Sequence, residues 1–142
     1  MSATTEYLKP LPEADPVSAP YWDSLKAHDL RLQQCGNCGR FVFYPRGLCP
    51  HCHAEQLTWQ PVSGKGSIHS FTIVYRHWNP GFAADAPYVV ALVELEEGVR
   101  LVSNLVDVDA DPAKISIGAP VELVYDDVTP DVTLPKFRLA TG

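Results

Sequence analysis

The sequence predicts a mainly β protein: an N-terminal arm and short helix, a rubredoxin-like zinc ribbon, and a C-terminal five-stranded OB-fold barrel. Three observations carry this. All four cysteines fall in two CxxC turns, Cys35-Gly36-Asn37-Cys38 and Cys49-Pro50-His51-Cys52, with ten residues between them. From Thr58 onward helical periodicity disappears, and β-branched and aromatic residues take over. Five strand-like runs follow, with a long connection between the third and fourth. That is the order of a small OB barrel, whereas a sandwich needs about seven strands. The expected units are 1–29 (arm and helix), 30–58 (ribbon) and 59–142 (barrel).

Composition narrows the function classes. The chain has 142 residues, enough for one domain or two very small ones, and 46% are hydrophobic, which marks a globular protein. A formal net charge of -6 disfavours broad nucleic-acid binding, which runs on phosphate neutralisation. The start, MSATTEYLKP, has neither a basic n-region nor an apolar h-region, so no signal peptide is expected. No apolar run is long enough to span a membrane. Reduced thiols without an export signal point to the cytoplasm.

Residues 1–20 read as an arm, because Pro10, Pro12, Pro16 and Pro20 forbid a continuous helix. Tyr7, Leu8, Leu11 and Val17 give it apolar anchors, for its own domain or for a partner. Residues 18–28 read as a short helix with Ser18 as cap, Pro20 in the first turn, and Trp22 and Leu25 on one face. Residues 30–33 alternate like a strand into the first CxxC. Phe41–Tyr44 is the return strand, and Pro45-Arg46-Gly47 turns the chain toward Cys49. In the barrel, strands are expected at 67–75, 88–95, 99–106, 121–125 and 136–139. Loops are expected at 76–87 and 126–135, and Glu96-Glu97-Gly98 is a hairpin turn.

Two CxxC turns point four thiolates at one centre, the closed tetrahedral site that structural zinc prefers. Gly39, just after the first turn, supplies a residue that tolerates positive φ. Iron in a rubredoxin-type site uses the same ligands, and the sequence does not separate the two metals. Two disulfides would need an oxidising compartment, and a redox CxxC would need a βαβ context. His51 and His53 flank the last cysteine and read as exposed loop residues, since Cys35, Cys38, Cys49 and Cys52 already fill four positions. A closed site leaves no place for a catalytic water, so this metal folds the chain and does no chemistry.

No catalytic set is visible. Glu94, Glu96 and Glu97 sit at a hairpin, Asp126, Asp127 and Asp131 lack calcium-loop spacing, and His69 reads as an ordinary strand residue. The 76–87 loop, with Arg76, His77, Trp78 and Phe82, offers a cation for phosphate and aromatic faces for a base or an acyl chain. Equally, Trp78 and Phe82 could cap the barrel end. An anion would lie toward Arg46, Lys65 and Arg76, away from Asp126 and Asp127.

Several motifs then coincide. The arm reads Lys-Pro-Leu-Pro, Tyr21-Trp22 opens the helix, and Leu-x-Leu-x-x-Cys-x-x-Cys enters the ribbon. Pro45-Arg46-x-x-Cys-Pro-x-Cys closes it. Trp59 precedes Ser-Gly-x-Gly, Pro87-Tyr88 leads into Val-Glu-Leu-x-x-Gly, and Ile117-Gly118 precedes the fourth strand. Together they resemble the acyl-CoA-associated zinc-ribbon/OB-fold proteins, from about residue 8 to 139. Two departures stand out: Tyr44-Pro45-Arg46 where the family often has Pro-Pro-Arg, and His53-Ala54 where it often has Gly-Ser. The resemblance implies an accessory subunit, without catalytic residues of its own, in a hetero-oligomer with a thiolase-like partner of lipid metabolism (a thiolase, synthase, acyltransferase or aldolase). It also implies a role in binding or channelling a CoA thioester, for which Arg46, Lys65, Arg76 and Trp78 are the candidates. The alternatives are a nucleic-acid-binding zinc-ribbon/OB module and a stand-alone CoA-binding enzyme.

Overall fold

The structure is a computed structural model, and it describes residue 9 and residues 11–140. Tyr7 and Leu8, two of the expected arm anchors, lie outside the described residues. The elements run α1 (Ala19–Lys26), β1 (Arg31–Cys35), β2 (Phe41–Val42), β3 (Leu57–Pro61), β4 (Lys65–Val74), α2 (Pro80–Ala83), β5 (Tyr88–Leu95), β6 (Arg100–Val106), β7 (Pro120–Thr129) and β8 (Val132–Leu139). One 3-10 turn, Pro112–Lys114, lies between β6 and β7. Among the described residues no helix is long and apolar enough to cross a membrane.

α1 starts with Pro20 in its first turn, as expected, but Ser18 does not cap it with its side chain. The Ser18 hydroxyl instead accepts from the Asp15 N–H, while the Ser18 N–H donates to Asp15 Oδ1 at 2.7 Å. The buried face is Tyr21, Ser24 and Leu25, with Trp22 half-buried at its edge. The helix stops in a Schellman arrangement: Asp29 N–H reaches Ser24 C=O and His28 N–H reaches Leu25 C=O. His28 takes the left-handed position there, with φ 55°. Glycine usually fills that position, and His28 repays its strain by contacts made far along the chain.

The ribbon sheet has the order β2-β1-β3, all antiparallel. β3 is an element that the sequence pattern did not announce. Leu57-Thr-Trp-Gln-Pro carries a proline, yet Pro61 sits at the strand's end, opposite Arg31, where a missing N–H costs little. β3 straddles residue 58, so the ribbon sheet runs on to Pro61.

The remaining strands close a barrel in the order β4-β5-β6-β8-β7. β6 and β8 pair in parallel through Leu105↔Phe137 and Val106↔Arg138, and every other pair is antiparallel. Strict alternation in β5 sends Val89, Ala91, Val93 and Leu95 inward. Phe137 is fully buried at the centre, and Ile115, from the connection after β6, is buried with it, whereas Ile117 is exposed. Gly66 is needed for close approach: a Cβ there would meet the Glu94 carbonyl oxygen at 2.3 Å.

Two expected loops are corrected. Within 76–87, Asn79 caps the short helix α2 by accepting the Gly81 N–H. The expected 126–135 loop is instead a continuation of β7 and β8 into a long hairpin that turns at Pro130-Asp131, so β8 begins at Val132 and not at 136. Acids disfavour strands in isolation, but here they are neutralised across space. Asp126 pairs with Lys136 at 2.7 Å, and Asp127 accepts from the Thr133 hydroxyl and meets His28 Nε2 at 3.0 Å. His28 also stacks on Tyr125, with ring centroids 4.7 Å apart and planes 5° from parallel.

The Thr133 hydroxyl and then His28 hold the Asp127 carboxyl below the usual aspartate range. A lowered carboxylate pKa stabilises the fold above the ordinary aspartate range and loses that effect as pH falls through the native value. Asp127→Asn is therefore expected to melt below the wild-type chain at about pH 6, with the gap closing toward about pH 3. Thermal unfolding across that range is the check.

Candidate metal centre and barrel groove

Each CxxC turn is built the same way. Cys35 ends β1, its carbonyl accepts the Gly39 N–H, and its own N–H donates to Arg40 C=O. In the second turn Cys49 C=O accepts the His53 N–H, and Cys49 N–H donates to Ala54 C=O. Both turns end on a left-handed residue, Gly39 with φ 80° and His53 with φ 66°. The first cysteine sulfur of each turn faces backbone N–H groups, those of Asn37 and Cys38 for Cys35 and that of His51 for Cys49.

The turns bring the sulfurs of Cys35, Cys38, Cys49 and Cys52 within 4.8 Å of one another. Cys35 and Cys52 approach at 3.5 Å and Cys38 and Cys49 at 3.7 Å, far beyond a disulfide bond. A tetrahedron with metal–sulfur bonds of about 2.3 Å sets its sulfurs about 3.8 Å apart, so this donor set fits a closed four-thiolate metal site. The Cys38 N–H, followed by the Asn37 N–H, lowers the Cys35 thiol, and the Asn37 side-chain amide with the Ala54 N–H lowers Cys52 to about 6. At Cys38 the Arg40 N–H acts downward, but desolvation and the neighbouring thiols outweigh it and raise the group to about 11. Four crowded sulfurs resist simultaneous ionisation, and a cation relieves that repulsion. His51 and His53 are exposed outside the thiol group, with His51 Nδ1 held by Arg40 at 3.2 Å.

The other expected site residues are spread over the ribbon, β4 and the segment that follows it. Arg46 is exposed in the ribbon, where its backbone makes two 2.8 Å bonds with the buried Gln33 amide. Lys65 opens β4, and Arg76 follows its other end. At about 3.3 Å per residue the two are on the order of 30 Å apart, so they cannot grip one phosphate group. Arg76 and Trp78 stay neighbours on the exposed 76–87 segment, where Trp78 is 89% exposed and stacked on His77. His69 is exposed at the β4 bulge.

The structure also forms a groove of about 600 Å³ that takes in Phe82 of the expected 76–87 segment. Trp22, Phe82 and Tyr88 supply aromatic wall, and Leu105, Val106 and Leu134 supply aliphatic wall. The arm crosses one side through Leu11 and Pro12. Lys9 ion-pairs with Asp85 and lies 5.6 Å from the Phe82 ring centre. Thus the described part of the arm packs on its own chain. Leu11 in the arm, Trp22 in the helix and Phe82 in the 76–87 segment were singled out in the sequence; Asp85, Asn104 and Lys136 carried no signal for this site.

Cys49 is fully buried, and Cys49→Ser is expected to abolish metal retention and unfold the ribbon. Metal analysis of the purified chain, with near-UV circular dichroism, is the check. His53→Gly should act in the opposite direction. It relieves about 1 kcal/mol of left-handed strain, less the extra entropy of glycine in the unfolded chain. Metal release to a chelator is expected to slow.

Comparisons with known proteins agree with this architecture. Residues 22–58 match the rubredoxin-like zinc ribbon domain of ChsH2, and residues 59–126 match the ChsH2 C-terminal OB-fold domain. A probable enoyl-CoA hydratase alpha subunit of Thermomonospora curvata is 38% identical over 133 residues, which is 94% of this chain but 40% of that protein. A DUF35 domain-containing scaffold protein of Methanothermobacter thermautotrophicus is 42% identical over 102 residues, 71% of this chain and 74% of the relative. A solved structure titled Ltp2-ChsH2(DUF35) aldolase contains a chain that matches with a TM-score of 0.82 and 37% identity, over 92% of this chain and 100% of that one. With the ribbon, the barrel and the four-thiol centre all in place, the chain belongs to the ChsH2/DUF35 family of zinc-ribbon and OB-fold proteins.

Proposed function

We propose that the chain is a non-catalytic accessory subunit of a thiolase-like acyl-CoA enzyme. The observation that carries this reading is the near-complete superposition on the matching chain of the Ltp2-ChsH2(DUF35) aldolase. The alpha-subunit name of one relative and the scaffold name of another support it. In this reading Cys35, Cys38, Cys49 and Cys52 hold a structural zinc ion that folds the ribbon. The ribbon and the arm form the docking surface for the thiolase-like partner, which supplies the reacting groups. Arg76 and Trp78, adjacent and exposed, meet the nucleotide end of a CoA thioester, and Arg46 and Lys65 remain candidates for its phosphates. Four free thiols gathered for a metal suit the reducing cytoplasm.

The test is co-purification from the source cell under reducing conditions, followed by mass spectrometry and an assay of the partner. A thiolase-like protein in stoichiometric amount, less active when this chain is removed, is the expected result. Full activity of the partner alone would remove the proposal. Salt-sensitive retention of single-stranded nucleic acid in place of a protein would turn it toward a nucleic-acid module.

A further inference from the structure

We infer that the four-thiol centre is a thiol–disulfide switch: a small-molecule disulfide oxidises Cys38 and Cys49 to a bridge between the two turns, the metal leaves, and the ribbon stays closed. This holds whatever partner the chain has. The four cysteines do not meet solvent equally. Cys35 and Cys49 are buried, Cys52 is half-buried, and Cys38 is exposed. Next to Cys38 the space is open: a Cβ added at Gly39 would meet nothing within 4 Å beyond its chain neighbours. Thiol–disulfide exchange needs a thiolate that the incoming sulfur can reach. Cys38 is the one that offers it.

In the first exchange the Cys38 thiolate attacks one sulfur of the oxidant. A mixed disulfide forms on Cys38, and the other half of the oxidant leaves as a thiolate. In the second exchange the Cys49 thiolate attacks the Cys38 sulfur and expels the remaining half. The two cysteines together lose two electrons, and one small disulfide becomes two thiolates. Cys35 and Cys52 alone cannot fill a tetrahedral site, so they no longer hold the ion. The close sulfur contacts set the pairing, because both cross from one turn to the other: Cys38 to Cys49 at 3.7 Å, and Cys35 to Cys52 at 3.5 Å. A bridge within one CxxC would leave the two turns untied. The cross-turn bridge closes the whole segment from Cys38 to Cys49, as the metal does, and a longer closed loop removes more freedom from the open chain. Inside that segment the Gln33 amide still holds the Arg46 backbone.

The test treats the full zinc-loaded chain with one equivalent of oxidised glutathione, a small disulfide. Three signals are followed: zinc captured by a chromogenic chelator, bridged cysteines by tandem mass spectrometry after alkylation of the free thiols, and trypsin cleavage after Arg46. Zinc release in step with the loss of two thiols is expected, with Cys38 bridged to Cys49. Cleavage after Arg46 is expected to be at least about tenfold slower than in the reduced, metal-free chain, because proteolysis tracks the open population. Dithiothreitol with added zinc is expected to restore the site. Cys38→His keeps a fourth zinc ligand without the reactive sulfur. It is expected to release zinc to the same oxidant at least about tenfold more slowly. Should that variant fail to load zinc, the bridge found in the wild-type chain decides. A first bridge elsewhere than Cys38–Cys49, a stable mixed disulfide with zinc retained, fast cleavage after Arg46 in the oxidised chain, or undiminished release from folded Cys38→His would overturn the inference. None of these outcomes alters co-purification of a partner, so the switch and the accessory role fail separately.

Discussion

Strand β1 serves two cores at once, and the rest of the structure depends on that constraint. Its first part joins the barrel side, where Leu32 is buried in one cluster with Leu30, Tyr21, Leu25, Ile68 and Phe137. Its last residue, Cys35, belongs to a separate small cluster with Val42 and Cys49. A three-stranded sheet with one two-residue strand buries too little to stand alone. Fixing Cys35 in the thiol cluster therefore sets the register of β1. That register places Leu32 in the larger core and Gln33 against the Arg46 backbone. Gln33 is 5% exposed and satisfies both polar ends of its amide on the segment between the two CxxC turns. One buried amide thus ties the metal loops to the strand that also holds the barrel.

The helix is fastened by the same logic at its other end. Leu30 N–H donates to the Tyr125 hydroxyl at 2.9 Å, and Arg31 N–H donates to the Ser24 hydroxyl at 3.1 Å. The His28 ring then lies flat on Tyr125 and reaches Asp127. These contacts lie on the outer part of the long β7–β8 hairpin. A loop at 126–135 would offer no rigid surface for His28, so the hairpin and the strained helix end are consistent only together.

Legibility from sequence divides along the range of the interactions. The two CxxC turns are local patterns with a fixed chemical purpose, and the structure gathers all four sulfurs. The β5–β6 hairpin is likewise local: alternation in Tyr88–Leu95 and the Glu96-Glu97-Gly98 turn suffice, and Gly98 takes φ 94°. β3 was not legible, because Leu57-Thr-Trp-Gln-Pro becomes a strand only through pairing with β1. The 126–135 hairpin was not legible, because prolines and acids disfavour strands until Lys136, Thr133 and His28 neutralise those acids. The groove was least legible. Its walls come from the arm, α1, the segment before β5, β6 and β8, and no window of sequence holds more than a few of its residues.

The pairing of the cations decides what the surface of this chain can hold. A chain of net charge -6 has few positive groups to spare. Arg31 pairs with Asp29, Arg100 with Glu94, Lys114 with Asp109, and Arg138 with Glu122. Arg46 and Lys65, which sequence reasoning grouped with Arg76, lie on different elements from it. The groove then offers apolar wall and not concentrated charge, and each Å² of apolar surface it removes from water contributes about 25 cal/mol.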